Sequence, residues 1–182
     1  MAHRFAEIMF TDSVKQAQEQ YGSRQRNARL EENFGPNDQL SAREAEFIAR
    51  RDSFYLASVG ESGWPYVQHR GGPPGFLKVL SSNQIAFADF RGNTQLISAG
   101  NLSVSDRCSL ILMDYPNRKR LKIIGHMRME NADSVSREVL AGVELPEYKG
   151  RIERVGIIEV LAFDWNCPQH ITPRYTEAEM IQ

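Results

Sequence analysis

From residue 53 onward the apolar residues of this chain recur with a period of two. FYLASV, WPYVQHR, FLKVL, QIAFADF, RCSLILMDY, RLKIIGHMRME and VGIIEVLAFDW alternate in this way, and residues that favour turns separate them. Successive side chains of a strand point to opposite faces, so these runs predict half-buried strands. Six or seven of them at short spacing predict a sandwich or a small barrel. Gly60 and Gly63 in the GESG turn are expected to supply positive φ for the first hairpin.

The residues before them follow another rule. Ser13 with Gln16 and Ser41 with Glu44 fit the S-x-x-E/Q capping box, in which side chains satisfy amides left free by the first turn. The spacing predicts one helix from Ser13 to about Gly22 and a second over 42–52. Between them RQRNARLEENFGPNDQL is polar and holds a Gly-Pro break, which predicts a loop or arm. Shorter helices fit NTQLISAGNL and ADSVSREVLAG. The chain therefore divides into a helical extension over 1–44 and a mainly β (α+β) domain over 45–182.

A length of 182 residues suits one domain with a substantial core. With a formal net charge of -1 and 25% charged residues, no nucleic-acid or membrane partner is expected. No apolar run is long enough to span a bilayer, and the first residues do not read as a signal peptide, so a cytoplasmic location is expected. Cys108 and Cys167 have neither disulfide-framework nor zinc-site spacing and are expected to be reduced. His3, His69, His126 and His170 share no ligand spacing, so no metal site is expected. Nucleotide-binding glycine motifs and hydrolase signatures are absent, and no catalytic residue is assigned.

One segment departs from the strand pattern. Gly-Gly-Pro-Pro-Gly, residues 71–75, stands between Arg70 and Lys78. Proline cannot donate to a ladder, and glycine admits a close neighbour, so the segment reads as a bulge or edge break that opens the barrel wall; a long turn is the plain alternative. Further on, FADFRGNTQLISAGN places Arg91 and Gly92 after a strand and a helix start near Asn93. Helix amides beside a guanidinium suit a phosphate. An Asn-capped turn accounts for the same residues. Arg120 and Lys122, two apart on a strand, share a face, which is either a binding face or a solvated one.

The series HRGGPPGFLKVL, AFADFRGN, RLKIIG and FDWNCPQHITPR resembles the pyridoxamine 5'-phosphate oxidase superfamily of FMN-binding split β-barrels, in its uncharacterised flavin-binding branch, from about residue 45 onward. The resemblance implies a six- to seven-stranded split β-barrel with peripheral helices. It implies FMN as cofactor and a homodimer with the cofactor at the subunit interface. Arg70 and Lys78 look like the strand pair that contacts the flavin and its phosphate, with Phe76 and Leu77 between them. Phe87, Ala88, Asp89 and Phe90 resemble the strand that leads into the phosphate loop of Arg91, Gly92 and Asn93. Arg120 stands where the family has a flavin-contacting glutamine, with Lys122 beside it. Trp165 and Arg174 look like the C-terminal pair that reaches the partner's flavin.

The departures are specific. Gly92, Asn93 and Thr94 replace a Ser-Arg-Lys run, three extra residues separate Arg70 from Lys78, and PQHITPR replaces the Arg-Leu-His signature for the pyridoxal substrate. Flavin binding is thus implied and pyridoxamine phosphate as substrate is not. The resulting expectation is that Arg70, Lys78 and Arg91 converge on the phosphate of a flavin whose ring is walled in by a second copy. Gln169 and His170 are candidates for the substrate side. The activity implied is that of an FMN-dependent oxidoreductase acting on a small molecule, with NAD(P)H or the substrate supplying electrons. The alternatives are a non-catalytic flavin-binding or flavin-sensing protein, and an enzyme of the same fold using deazaflavin or haem.

Overall fold

A computed structural model describes residues 3–33, 35–145, 147–165 and 167–180. Asn166, within the C-terminal motif quoted above, lies outside the described residues. Four helices come first: α1 (Arg4–Met9), α2 (Asp12–Gln20), α3 (Arg24–Asn33) and α4 (Ala42–Ala49). Then follow β1 (Ser53–Val59), β2 (Pro65–Gly71), β3 (Leu77–Ser81), β4 (Gln84–Phe90), α5 (Ile97–Val104), β5 (Arg107–Asp114) and β6 (Lys119–Asn131). The chain ends with α6 (Arg137–Val143), β7 (Ile152–Trp165) and α7 (Glu177–Met180). Among the described residues, no helix is long and apolar enough to cross a membrane.

Seven strands form one antiparallel sheet in the order β2-β1-β5-β6-β7-β4-β3. The sheet curls without closing. Phe54 on β1 packs edge-on against Phe87 on β4, centroids 5.2 Å apart, although three strands separate their parent strands in the sheet order. One buried cluster draws Phe54, Leu56, Leu77, Ile85, Phe87, Leu110, Leu112, Leu121, Ile123, Met127, Ile158, Val160 and Phe163 from six of the seven strands. This is a split barrel. Only β2 puts nothing into the core: its residues alternate between exposed and half-buried.

Because β2 and β3 are consecutive in sequence and lie at opposite edges, the Gly-Pro segment must carry the chain across the open side. Of the expected bulge or edge break, the bulge is corrected and the edge break stands: the segment joins the two edge strands. Its amides are satisfied by the turn before β1, with Gly72 N–H donating to the Asp52 carbonyl (2.9 Å) and Gly75 N–H to that of Arg51 (3.0 Å). Two prolines without N–H groups leave fewer donors to satisfy, and Gly75 takes φ +79°, which a side chain would strain. Phe76, 2% exposed, stacks on Phe54 below the crossing.

Further local expectations are corrected. Helix α2 begins at Asp12, after Thr11, so Ser13 does not cap it. The segment expected as a loop holds α3: Gly22, at φ +71°, ends α2, and Arg, Gln, Ala, Leu and Glu are good helix formers even without an apolar stripe. Helix α1 was not foreseen; His3 caps it, its Nδ1 accepting from Ala6 N–H. In the first hairpin Gly63 has positive φ and Gly60 does not. Thr94 and Leu96 adopt left-handed backbone (φ 56°), which delays α5 from Asn93 to Ile97. Helix α6 starts at Arg137, where Ser136 caps it. The Ser41–Glu44 capping box is present at α4, and Phe47 and Ile48 of that helix enter the barrel core. Phe5 of α1 packs on Ile124 and Ala162, on the outer side of the wall.

Candidate anion cleft at the sheet seam

The open side of the barrel is bridged by charge. Asp89 on β4 stands directly across from Arg154 on β7, and Arg154 Nε donates to its Oδ2 at 2.9 Å. Arg70 on β2, the opposite edge strand, donates from Nη1 to Asp89 Oδ1 and lies over the Phe87 ring (5.6 Å). Asp89 is 6% exposed. A carboxylate hidden this deeply needs partners, and two guanidinium groups satisfy it. Glu153 is shared between Arg154 Nη2 and Arg91 Nε, at 3.6 Å from each. Three cations thus meet two carboxylates, so the group keeps one positive charge. Arg70 Nε is buried and has no acceptor.

Beside this group opens a cleft. Tyr66, Gln68 and Arg70 line it from β2, Asp89 and Arg154 from below, and Gly92 to Ala99 from the turn that enters α5. Leu96, at the N-cap position, is a residue without side-chain oxygen, so no side chain caps α5. Its first-turn residues Ile97, Ser98 and Ala99 line the cleft, and the amides of a helix start carry the positive end of the helix dipole. Ser98 Oγ donates to Gln68 Oε1 (2.6 Å) and Asn101 Nδ2 to Ser58 Oγ (3.1 Å), which fix the helix against β1 and β2. The cavity measures about 70 Å³. Drug-sized ligand pockets run from about 300 to 1,000 Å³, so this cleft by itself has room for a small anionic group and not for a fused-ring body.

The other expected site residues are distributed as follows. Phe76, Leu77 and Phe87 are core side chains, 1–2% exposed. Ala88 belongs to a second cluster, outside the wall, with Val143, Val155 and Ile157. Lys78 pairs with Ala86 of that same cluster and so faces away from Arg70. Phe90 meets the Tyr148 ring at 4.6 Å. Gly92 and Asn93 line the cleft, whereas Arg91 is exposed and turned to Glu153. Arg70, Lys78 and Arg91 therefore do not meet in one cleft of a single chain, because strand alternation sends Lys78 to the far face. Arg154 takes the place expected for a second cation.

Arg120 and Lys122 do share a face, the outer one. Lys122 is committed, its Nζ 2.8 Å from Asp164 Oδ2 and lying over the Phe5 ring. Trp165 is held within its own chain. Its indole N–H donates to Glu44 Oε1 (2.8 Å), Phe47 meets it edge-on, and the Arg43 guanidinium covers its face at 4.6 Å. Burial works against the Glu44 charge, but the Ser41 hydroxyl, the Trp165 N–H and the Ser41 amide hold its carboxyl below the usual glutamate range. Gln169 and His170 are exposed, His170 in left-handed backbone. Arg174 lies over the Tyr115 ring at 5.0 Å.

Sequence reading missed Tyr66, Gln68, Ser98 and Arg154. The first two were visible as alternate positions of the strand that carries Arg70; Arg154 required the β4–β7 register, which no local signal provides.

A family model described as pyridoxamine 5'-phosphate oxidase matches residues 40–156. Among solved structures, the chain is similar to HupZ from Group A Streptococcus, at 11% identity, 75% of this chain, 99% of that chain and a TM-score of 0.56. It is also similar to a Lactobacillus delbrueckii protein named provisionally as a pyridoxamine 5'-phosphate oxidase, at 16% identity, 70% of this chain, 94% of that chain and a TM-score of 0.54. At such identities these likenesses concern the fold. No curated protein matches the sequence.

Proposed function

The chain belongs to the pyridoxamine 5'-phosphate oxidase family, and from that premise we propose that it is an FMN-dependent oxidoreductase acting on a small molecule. The observation that carries the proposal is the uncapped start of α5 facing Arg70 and Arg154, with one positive charge left over. A phosphate monoester fits it: the α5 amides donate to the dianion, Arg154 and the orphaned Arg70 Nε offer charge-assisted donors, and Asn93 and Ser98 line the cleft. When bound, the flavin would supply the redox chemistry. The chain's own residues bind and orient it, and Asp89 keeps both guanidinium groups aimed.

Affinity sets a further requirement. Hydrogen bonds to charged groups contribute about 1.5–3 kcal/mol each, so two or three on the phosphate give roughly 3–9 kcal/mol. Micromolar binding needs about 8 kcal/mol after the cost of association. The ring must therefore be buried as well, and the 70 Å³ cleft does not enclose it. A second copy of this chain supplies the cover. The outer face of β1, β2 and β5 supports that reading, since Val59 (44% exposed), Val67 (61%) and Ile111 (39%) leave an apolar surface unpartnered. Electrons come from NAD(P)H or from the substrate.

The test is direct. Protein purified with bound flavin, or a melting temperature raised by FMN and unmoved by riboflavin, supports the assignment; bleaching of that flavin by NAD(P)H or a substrate extends it to turnover. Flavin that binds but never cycles reduces the protein to a flavin carrier. Colourless protein whose melting temperature ignores FMN refutes the reading.

A further inference from the structure

The turn that joins β1 to β2 holds a large ring out in water. Trp64, the residue before β2, is 78% exposed. Its position is fixed by the turn, in which Gly63, at φ +77°, donates from N–H to the Gly60 carbonyl (2.9 Å). The turn is braced from behind: a side chain at Gly60 would run into Asn101 of α5, whose Nδ2 donates to Ser58 Oγ (3.1 Å). Beside Trp64, Val59 pairs across the hairpin with Pro65, and Val67 is the next exposed apolar residue along β2. One exposed apolar residue is ordinary; several together on a braced turn mark a contact surface.

The same hairpin borders a groove of matching character. Ile8 and Met9 of α1, Ile124 of β6, Leu161 of β7, and Val59 and Pro65 line a cavity of about 590 Å³. Cavities of about 300–1,000 Å³ enclose drug-sized bodies, so an indole ring fits this one. Helix α1 precedes the residues 40–156 that the family model matches, so this groove is a feature of the chain and not of the family. The charges of groove and turn are opposite. Arg4, Arg107 and His126 line the groove; Arg4 holds Glu7 and His126 faces Asp106, whereas among the described residues Arg107 has no carboxylate within salt-bridge distance. Glu61, exposed in the turn, likewise has no cation within that distance among the described residues.

We propose that the groove under α1 receives the β1–β2 turn of a second copy of this chain, with Trp64 entering the cavity and Glu61 pairing with Arg107. A chain does not fill its own groove, since its Trp64 is exposed while the cavity stands open. Turn and groove adjoin at Val59 and Pro65, so a two-fold axis beside these residues lets one patch serve both roles, as an isologous interface requires. The proposal rests on the reading that a second copy covers the flavin ring, and it names the contact that holds that copy. Helix α5 links the two places: Ile97, Ser98 and Ala99 line the phosphate cleft, and Asn101, one turn further on, braces the hairpin.

Sedimentation equilibrium of the full-length protein over a concentration series tests this. The wild-type chain is expected to dimerise, and Trp64→Ser, at an exposed position, to weaken the dimer at least roughly a hundredfold, because a two-fold interface carries each substitution twice. Glu61→Arg and Arg107→Glu are each expected to weaken it about tenfold, and the double variant, with the charges exchanged, to return within about threefold of wild type. A dimer of full strength in Trp64→Ser, or no recovery in the double variant, would overturn this contact and leave the second-copy reading standing. Dodecanoate that binds the wild-type dimer without dissociating it, and binds more weakly to Arg107→Glu, would give the groove to a free ligand and overturn the contact in the same way. A monomer at every concentration, with and without FMN, would overturn both.

Discussion

Asp89 at the seam and Glu44 at the α4 corner are two carboxylates almost equally hidden, 6% and 4% exposed, and they are satisfied by opposite means. Asp89 is held by two guanidinium groups, in a cluster that ends with a positive charge to spare. Glu44 is held by neutral donors, the Ser41 hydroxyl and amide and the Trp165 indole N–H, and ends fully committed. The difference separates binding from support. The seam has donors left for an anion; at the corner the Glu44 carboxylate is spent on fastening α4 to the end of β7.

The sharpest way to break that comparison is to remove the seam carboxylate. Asp89→Ala removes the carboxylate that half-buried Arg70 and Arg154 both bind, and is expected to cost about 3 kcal/mol, the low end for a broken buried pair because Arg154 keeps Glu153, to be read as a lowered midpoint in urea unfolding. A loss below about 1 kcal/mol would mean the two arginines are hydrated and the seam is not a clasp. Next in size is Arg154→Met, which keeps the packing and removes one charged donor. FMN affinity is expected to fall roughly 10- to 150-fold by fluorescence titration. Trp165→Phe is expected to leave FMN affinity within about threefold and to lower stability by about 1–2 kcal/mol through the lost bond to Glu44. Equal loss of FMN in these two variants would erase the distinction between seam and corner.

Smaller still is a pH effect confined to the corner. The Glu44 carboxyl is lowered in the folded chain, so its stabilising contribution is present above the usual glutamate range and is lost as pH falls through the depressed value. Glu44→Gln, expected to cost about 1–2 kcal/mol near neutrality, should therefore flatten part of the decline in stability between about pH 5 and about pH 3. A wild-type curve matched by the variant at every pH would remove the charge from the account. The smallest effect concerns the two thiols. Burial, aided by Asp106, pushes Cys108 up to about 12, and Cys167 is exposed, so iodoacetamide is expected to label Cys167 alone in the native protein.

Legibility in the sequence followed the range of the interactions. Strand runs, the α4 capping box and the strand end at Phe90 rest on neighbours within a few residues, and all were readable. Helix α3 escaped because propensity without an apolar stripe looks like loop, and the start of α5 because left-handed Thr94 and Leu96 carry no residue signature. The Gly-Pro segment was legible as an interruption, but its role as the bridge between two edges depends on the whole sheet order. Arg70 was identifiable from its family-like context. Its partner Asp89 lies 19 residues away and Arg154 a further 65 beyond Asp89, so their union is a product of register alone.

The claim on which the rest turns is that the α5 start, Arg70 and Arg154 form a phosphate cradle. A paired titration of the purified chain with FMN and with riboflavin, which share the ring and differ in the phosphate, measures that claim by itself. FMN is expected to bind at least 30-fold more tightly, with most of the advantage gone in Arg154→Met; equal affinities for the two, or an advantage that survives the substitution, would contradict it.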